Sequence, residues 1–353
     1  MTDSYPRPTI AAVQAAPVYL NRDACVAKVR SLTAQARANG ADLVIFSESF
    51  IPGFPTWVHL LAPIDQHGLF KRFVASAVEI PGPAFYELQQ IARDNGVFLS
   101  VGVTEKAPSQ SIGVLWNTNL LFDRSGRLVA RHRKLLPTWS EKLVWSFGDG
   151  STMTVHDTEI GRIGALICGE NTNSLAKYAL IAQGEQIHIS TYPACFPTSR
   201  SPAGGQDYFD TLMVRACSMS YEGKVFTAVS SQALDDEGAE LLSAGSAENR
   251  ELLNRLTYGG SMIIAPSGAC CSNIIRDNKE GIAYAQCDIG DEIALKGIHD
   301  IAGSYQRTDV FHFGINKTVL QPVYITEEKF VTSPRPGEAE TNAAPRPDEP
   351  AQT

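Results

Sequence analysis

Three residues in this chain each stand at the end of a strand-like run. Glu48 follows LVIF in ADLVIFSESFIPGFPTW, Lys134 closes RLVARHRK, and Cys168 follows ALI in ALICGENTNS. Brought together, a carboxylate, an ammonium and a thiol make a covalent catalyst. A cysteine attacks as its thiolate, so it needs a base to take its proton or a cation to lower its pKa. Glu48 can accept that proton, and Lys134 can stabilise first the thiolate and then the charge that develops on a substrate. The backbone N–H of Gly169 is placed to donate to an oxyanion. Each residue alone also has an ordinary reading, as a solvated loop acid, a surface cation or a core thiol. The chemistry rests on the three together. Histidine is the usual switchable base, and seven are present. His132 lies two residues before Lys134 and His188 on the strand beyond the next helix, which leaves a Cys/His pair open, although neither histidine carries a motif.

These residues need elements to position them. TIAAVQAAPV (9–18) reads as a strand, DACVAKVRSLTAQARANG (23–40) as a helix with an Asp N-cap and a Gly stop, and ADLVIFSES as a second strand. PAFYELQQIARDNG is helical, VFLSVGVTE is strand-like, and LWNTNLLFDRSGRLVARHRK reads as two strands joined at Arg124-Ser125-Gly126. GRIGALIC, NSLAKYALIAQGEQ and IHISTYP then read as strand, helix and strand, with Cys168 where a strand hands over to a helix. A helix over GQDYFDTLMVRACSMSYEG, a strand KVFTAVSSQ and a meander from Ser261 complete the pattern. Alternation of this kind predicts an α/β architecture. If the three strands are neighbours, Glu48, Lys134 and Cys168 meet at one sheet edge.

The chain has 353 residues, 44% of them hydrophobic, enough for a large core. A formal charge of −8 without a Lys/Arg block argues against nucleic acid. Seven cysteines without CxxC or paired His spacing predict neither a disulfide framework nor a metal site, and fit a reducing cytosol. No apolar run approaches the roughly 20 residues that span a bilayer, and the N-terminus lacks a signal-like pattern, so a soluble cytoplasmic protein is expected. One domain over residues 1–331 is expected, with the acidic stretch 234–257 as a surface insertion. A Pro/Glu/Ala-rich disordered tail is expected over 332–353.

At this point the residues resemble the nitrilase branch of the carbon–nitrogen hydrolase superfamily. GADLVIFSESFIPGFP is similar to the segment that carries the family's catalytic Glu, with Phe54 in place of tyrosine. RHRKLLPTWSEKLVWSFGDGS resembles its lysine segment, and GALICGENTNSLAK its cysteine segment. The three occur in the family's order, and the resemblance runs from about Ile10 to Val323. It implies a four-layer αββα sandwich, no metal or organic cofactor, and catalysis by Glu48, Lys134 and Cys168, with Glu141 as a supporting acid. It also implies hydrolysis of an organic nitrile to acid and ammonia with some amide by-product, and a homo-oligomer, a dimer or a spiral. An amidase or carbamoyl hydrolase with the same triad is the nearest alternative, and a catalytically silent scaffold a more distant one. Phe54, Trp57, Tyr192 and Pro193 lie in loops beside the three strand ends and are candidates for the wall around the substrate's R group. The family more often has tryptophan or alanine at Gly169, so a roomier site is expected there.

Overall fold

Alternation along the first strand sets the layering. In β1 (Thr9–Gln14), Ile10 and Ala12 enter one core while Ala11 and Val13 enter another, as successive side chains of a strand must. The structure is a computed structural model that describes residues 4–107, 111–201 and 207–320. Among these residues twelve strands, numbered along the chain, form two sheets. The first runs in the order β12 (Gly281–Gln286), β1, β2 (Leu43–Ile45), β4 (Phe98–Lys106), β5 (Leu115–Phe122) and β6 (Leu128–Arg133), with β3 (Val78–Glu79) paired to β4. The second runs β11 (Met262–Ile264), β10 (Phe226–Ser231), β9 (Ile187–Tyr192), β8 (Gly161–Ile167) and β7 (His156–Thr158).

The two sheets pack face to face. Ile10, Leu43, Ile45 and Phe98 of the first share a core with Ile163, Ile187, Ile189 and Phe226 of the second. On the outer face of the first sheet, Val26 and Val29 of the helix Arg22–Ala38 and Leu88 and Ile91 of Pro83–Asn95 cover Val13, Val44 and Leu99. On the outer face of the second, Phe209 and Leu212 of Tyr208–Gly223 cover Val229 and Met262, and Ala179 and Leu180 of Ser174–Ile181 cover Leu166. This is the expected helix–sheet–sheet–helix sandwich. Residues up to Val319 form one compact unit. The expected tail, 332–353, lies outside the described residues.

Local readings shift at their edges. The helix expected from Asp23 starts at Arg22, and its N-cap is Asn21, whose side chain accepts from the Ala24 N–H. Segment 234–257, expected as a surface insertion, forms the helices Asp236–Ser243 and Ala247–Arg255. One side of this pair is core: Leu242, Leu252 and Leu253 are buried with Tyr19, Leu60 and Cys195. Of the six leucines of this segment, Leu241 and Leu242 lie in the first helix and Leu252 and Leu253 in the second, which gives each short helix an apolar side.

Candidate active site

The three strand ends do meet, but not as neighbours. β2 and β6 are separated by β4 and β5, and β8 belongs to the other sheet. Glu48 bridges the gap because the chain leaves β2 and crosses over β4. There Phe46 N–H donates to the Ser100 carbonyl and Ile51 N–H to the Gly102 carbonyl. The crossing passes directly over Gly102, where a Cβ would lie 2.6 Å from the Ser49 nitrogen and overlap the Ser47 carbonyl oxygen. Only glycine admits so close an approach of backbone to backbone. Gln232 then fixes the crossing, its Nε2 donating to the Glu48 carbonyl at 2.6 Å.

Glu48 is fully buried. Its Oε1 accepts from Asn117 Nδ2 of β5 at 2.7 Å and from Lys134 Nζ at 2.8 Å. Lys134, the residue after β6, also donates to Glu141 Oε2 at 2.7 Å. Glu141 is held by the 3-10 turn Trp139–Leu143, and the same oxygen accepts from the Thr138 N–H at 2.9 Å in a capping box. Glu48 Oε2 and Glu141 Oε1 are buried with no hydrogen-bond partner among the described residues. One ammonium thus faces two carboxylates and cannot neutralise both. Burial, countered by Lys134 and reinforced by the charge of Glu141, raises the pKa of Glu48 to about 7. Lys134 is shifted up: burial opposes its charge, but Glu141 and Glu48 outweigh it.

Cys168 follows β8 directly and is only 3% exposed. Its φ of 50° lies in the left-handed region, an unfavourable conformation for a non-glycine residue that makes a sharp strand-to-turn elbow. Burial first, and then the charge of Glu48, push its thiol up to about 12, while Lys134 pulls the other way. The resting thiol is therefore protonated, so its proton must leave as it attacks. Tyr208 Oη lies 4.0 Å from its Sγ. Cys168 and Gly169 open the 3-10 turn Cys168–Thr172, and first-turn N–H groups have no partner within their own helix.

Neither candidate histidine serves Cys168. His132 Nε2 pairs with Glu170 at 3.0 Å, and Glu170 also accepts from the N–H groups of Leu135 and Ile167. This carboxylate ties the lysine segment to the cysteine elbow across the two sheets. His188 lies between Glu185 Oε1 and Asn171 Oδ1, both at 2.9 Å, and Asn171 Nδ2 donates to the Cys168 carbonyl. The histidines therefore brace the elbow from behind.

The space expected beside Gly169 is filled. A Cβ there would meet Thr138 Oγ1 at 2.7 Å, so the missing side chain accommodates the cap of the turn that carries Glu141. Gly169→Ala is expected to displace that turn and lower turnover of small and large substrates alike by about tenfold or more. Adding Thr138→Ala should recover part of the loss. A loss confined to large substrates would restore the roomier-pocket reading.

Of the expected wall residues, Tyr192 is buried in one cluster with Cys168, Tyr208 and Phe209. Phe54 packs edge-on to Trp145 at 5.5 Å and near Phe196 at 6.4 Å. Trp57 packs into the core against Phe73 at 5.4 Å, and the carbonyl of Pro193 accepts from Ser231 Oγ at 2.8 Å. Asn117, Gln232, Glu170 and Tyr208 are at the site without having been singled out from the sequence. Asn117 sits in the WNTN stretch of β5, where three consecutive polar residues flanked by apolar ones in a fully buried strand were the available signal.

Among the described residues no group of His, Cys, Asp and Glu could hold a metal ion, and no helix is long and apolar enough to cross a membrane. Residues 9–296 match the carbon-nitrogen hydrolase family model. A nitrilase of Bacillus sp. (strain OxB-1) is 34% identical over 320 residues, 91% of each chain. An aliphatic nitrilase of Rhodococcus rhodochrous is 33% identical over 89% of this chain and 84% of its own. The fold is similar to that of a carbon-nitrogen hydrolase from Helicobacter pylori G27, with a TM-score of 0.69 at 17% identity, covering 87% of this chain and 97% of that one. The chain belongs to the carbon-nitrogen hydrolase family.

Proposed function

We propose that this chain is a nitrilase that converts an organic nitrile and two waters to a carboxylic acid and ammonia, with Cys168 as nucleophile, Glu48 as general base and Lys134 as electrostatic stabiliser. One observation carries the reading. A single buried ammonium joins Glu48 and Glu141 while one oxygen of each acid has no partner among the described residues, beside a thiol on a left-handed elbow. The relatives named nitrilases direct that chemistry to C≡N.

Glu48 takes the thiol proton as sulfur adds to the nitrile carbon. The nitrogen regains a proton at the Glu48–Lys134–Glu141 group, leaving a thioimidate on sulfur. Glu48 then removes a proton from water as its oxygen adds to the same carbon. The tetrahedral intermediate expels ammonia, whose nitrogen takes back one water proton from Glu48 and then the hydroxyl proton through the same carboxylate, and a thioester remains. A second water repeats the addition and releases the acid and the thiol. The Gly169 N–H is proposed to donate to the developing oxyanion. If the first tetrahedral intermediate expels sulfur, an amide leaves instead. Acid, amide and ammonia measured from one nitrile and from its matching amide test the reading. Ammonia from the amide alone would refute it.

The Glu48 pKa sets a pH dependence. The base must be ionised, so kcat/KM is expected to fall as pH drops through about 7. Glu141→Gln removes the like charge and should move this acid limb lower, along with reducing kcat. A limb that stays in place would remove Glu48 from the role. The stability effect has the opposite sign. The folded state binds this proton more tightly than the unfolded chain, so the stabilisation is full below about 4.5 and lost as pH rises through about 7.

A further inference from the structure

We propose that His59 selects the substrate's R group, favouring an aryl nitrile whose ring carries a hydroxyl. The proposal rests on the nitrilase reading above and deepens it. His59 belongs to the short helix Trp57–Leu60, and both of its ring nitrogens are buried with no hydrogen-bond partner among the described residues. Buried polar atoms are normally paired, so two orphan nitrogens on one ring call for a partner from outside the chain.

The surroundings define that partner. Three aromatic rings flank the imidazole: Phe54 nearly parallel to it at 6.3 Å, Trp139 at 5.5 Å and Phe196 edge-on at 4.6 Å. Flat apolar walls with a few fixed polar atoms suit a planar ring with a polar substituent. Burial, with the Lys134 charge adding to it, lowers the His59 pKa to about 4. The ring is therefore neutral at working pH and offers one donor and one acceptor, which a hydroxyl can meet from either side.

Phe196 links His59 to the thiol. It packs against the cluster of Phe54, Trp57 and Trp145 and also against the cluster that contains Cys168. Phe196 and Tyr208 line a cavity of about 110 Å³, and Tyr208 Oη is 4.0 Å from Cys168 Sγ. Of the rings beside the imidazole, Trp139 is 57% exposed and Phe196 is only partly buried. A substrate that displaces either ring reaches the orphan nitrogens.

The test compares kcat/KM for phenylacetonitrile with that for its 3-hydroxy and 4-hydroxy derivatives, in the unmodified chain, His59→Phe and His59→Gln. The matching amides are run in parallel. The unmodified chain should prefer one hydroxylated isomer by about tenfold or more, because a site built to bond a hydroxyl rejects the analogue that lacks it. His59→Phe should bring the ratio close to one, and His59→Gln, which keeps a donor and an acceptor, should retain part of it. A ratio equal in His59→Phe and the unmodified chain, or absent from the unmodified chain, overturns the proposal. So does an equal loss on all three substrates, which would mark His59 as packing. Turnover of the amides without the nitriles refutes the nitrile reading while the same ratios still decide the role of His59. Turnover of neither series overturns both.

Discussion

Cys168→Ala is expected to lower nitrile turnover by at least about 10⁴-fold, to the level of a background reaction. The nucleophile forms the covalent bond on which every later step depends, so no other residue of the site can substitute for it. Cys168→Ser should be nearly as inactive. The thiol is already pushed up to about 12, and a serine hydroxyl in the same buried place is far harder to ionise than a thiol. The substitution is close to isosteric, so the serine variant should keep its thermal midpoint, and an inactive, fully folded protein would exclude misfolding as the cause.

Loss of activity alone does not identify a covalent step, and general thiol alkylation is a poor probe here. The chain has six other cysteines, of which Cys271 is exposed and Cys217 and Cys270 are partly exposed. These would react before a thiol that is 3% exposed. Intact mass after acid quench during turnover of a slow nitrile is selective. One acyl or imidoyl adduct per chain is expected in the unmodified protein, mapped to the peptide that contains ALICGENTNS, and none in Cys168→Ala. Turnover by the alanine variant within a hundredfold of the unmodified chain would falsify the mechanism.

The sandwich was legible in the sequence because helix and strand periods alternate along nearly the whole chain, and the runs LVIF before Glu48 and GALI before Cys168 are apolar. The route by which they converge was not legible. A periodic pattern places a side chain on an element but does not order strands within a sheet, and here two strands intervene between β2 and β6. Gly102 permits the crossing, yet within VFLSVGVTE it reads only as a weak point in a strand. Gly169 was misread for a related reason. The absence of a side chain is visible in sequence, but its occupant, Thr138, is 31 residues away along the chain. Glu170, two residues after the cysteine, carried no distinct signal in the sequence. Its role as a tie between segments emerges only from the hydrogen bonds of Leu135, Ile167 and His132.

Lys134→Met is expected to lose activity by about 10³-fold or more, the scale of removing a buried electrostatic stabiliser, and also to destabilise the fold. The two effects can be separated because they have different causes. The unmodified site is a cation between two carboxylates, with Glu48 raised to about 7. Without the cation, Glu48 and Glu141 face each other in a dry interior, and breaking a buried pair in this way costs about 3–5 kcal/mol. Glu48 then prefers still more strongly to be protonated, which raises its folded pKa further. The sign follows: the variant should be most stable in acid and lose stability as pH rises, with a larger drop in thermal midpoint between pH 5 and 8 than the unmodified chain shows. Adding Glu141→Gln alone removes one of the two unpaired charges while keeping the base Glu48, and should restore part of the midpoint at pH 8 while leaving the protein inactive. Stability recovered without activity would assign Lys134 a direct part in the chemistry. Activity that returned together with stability would reduce it to a structural counter-ion, and the proposed division of labour among Glu48, Lys134 and Cys168 would fall.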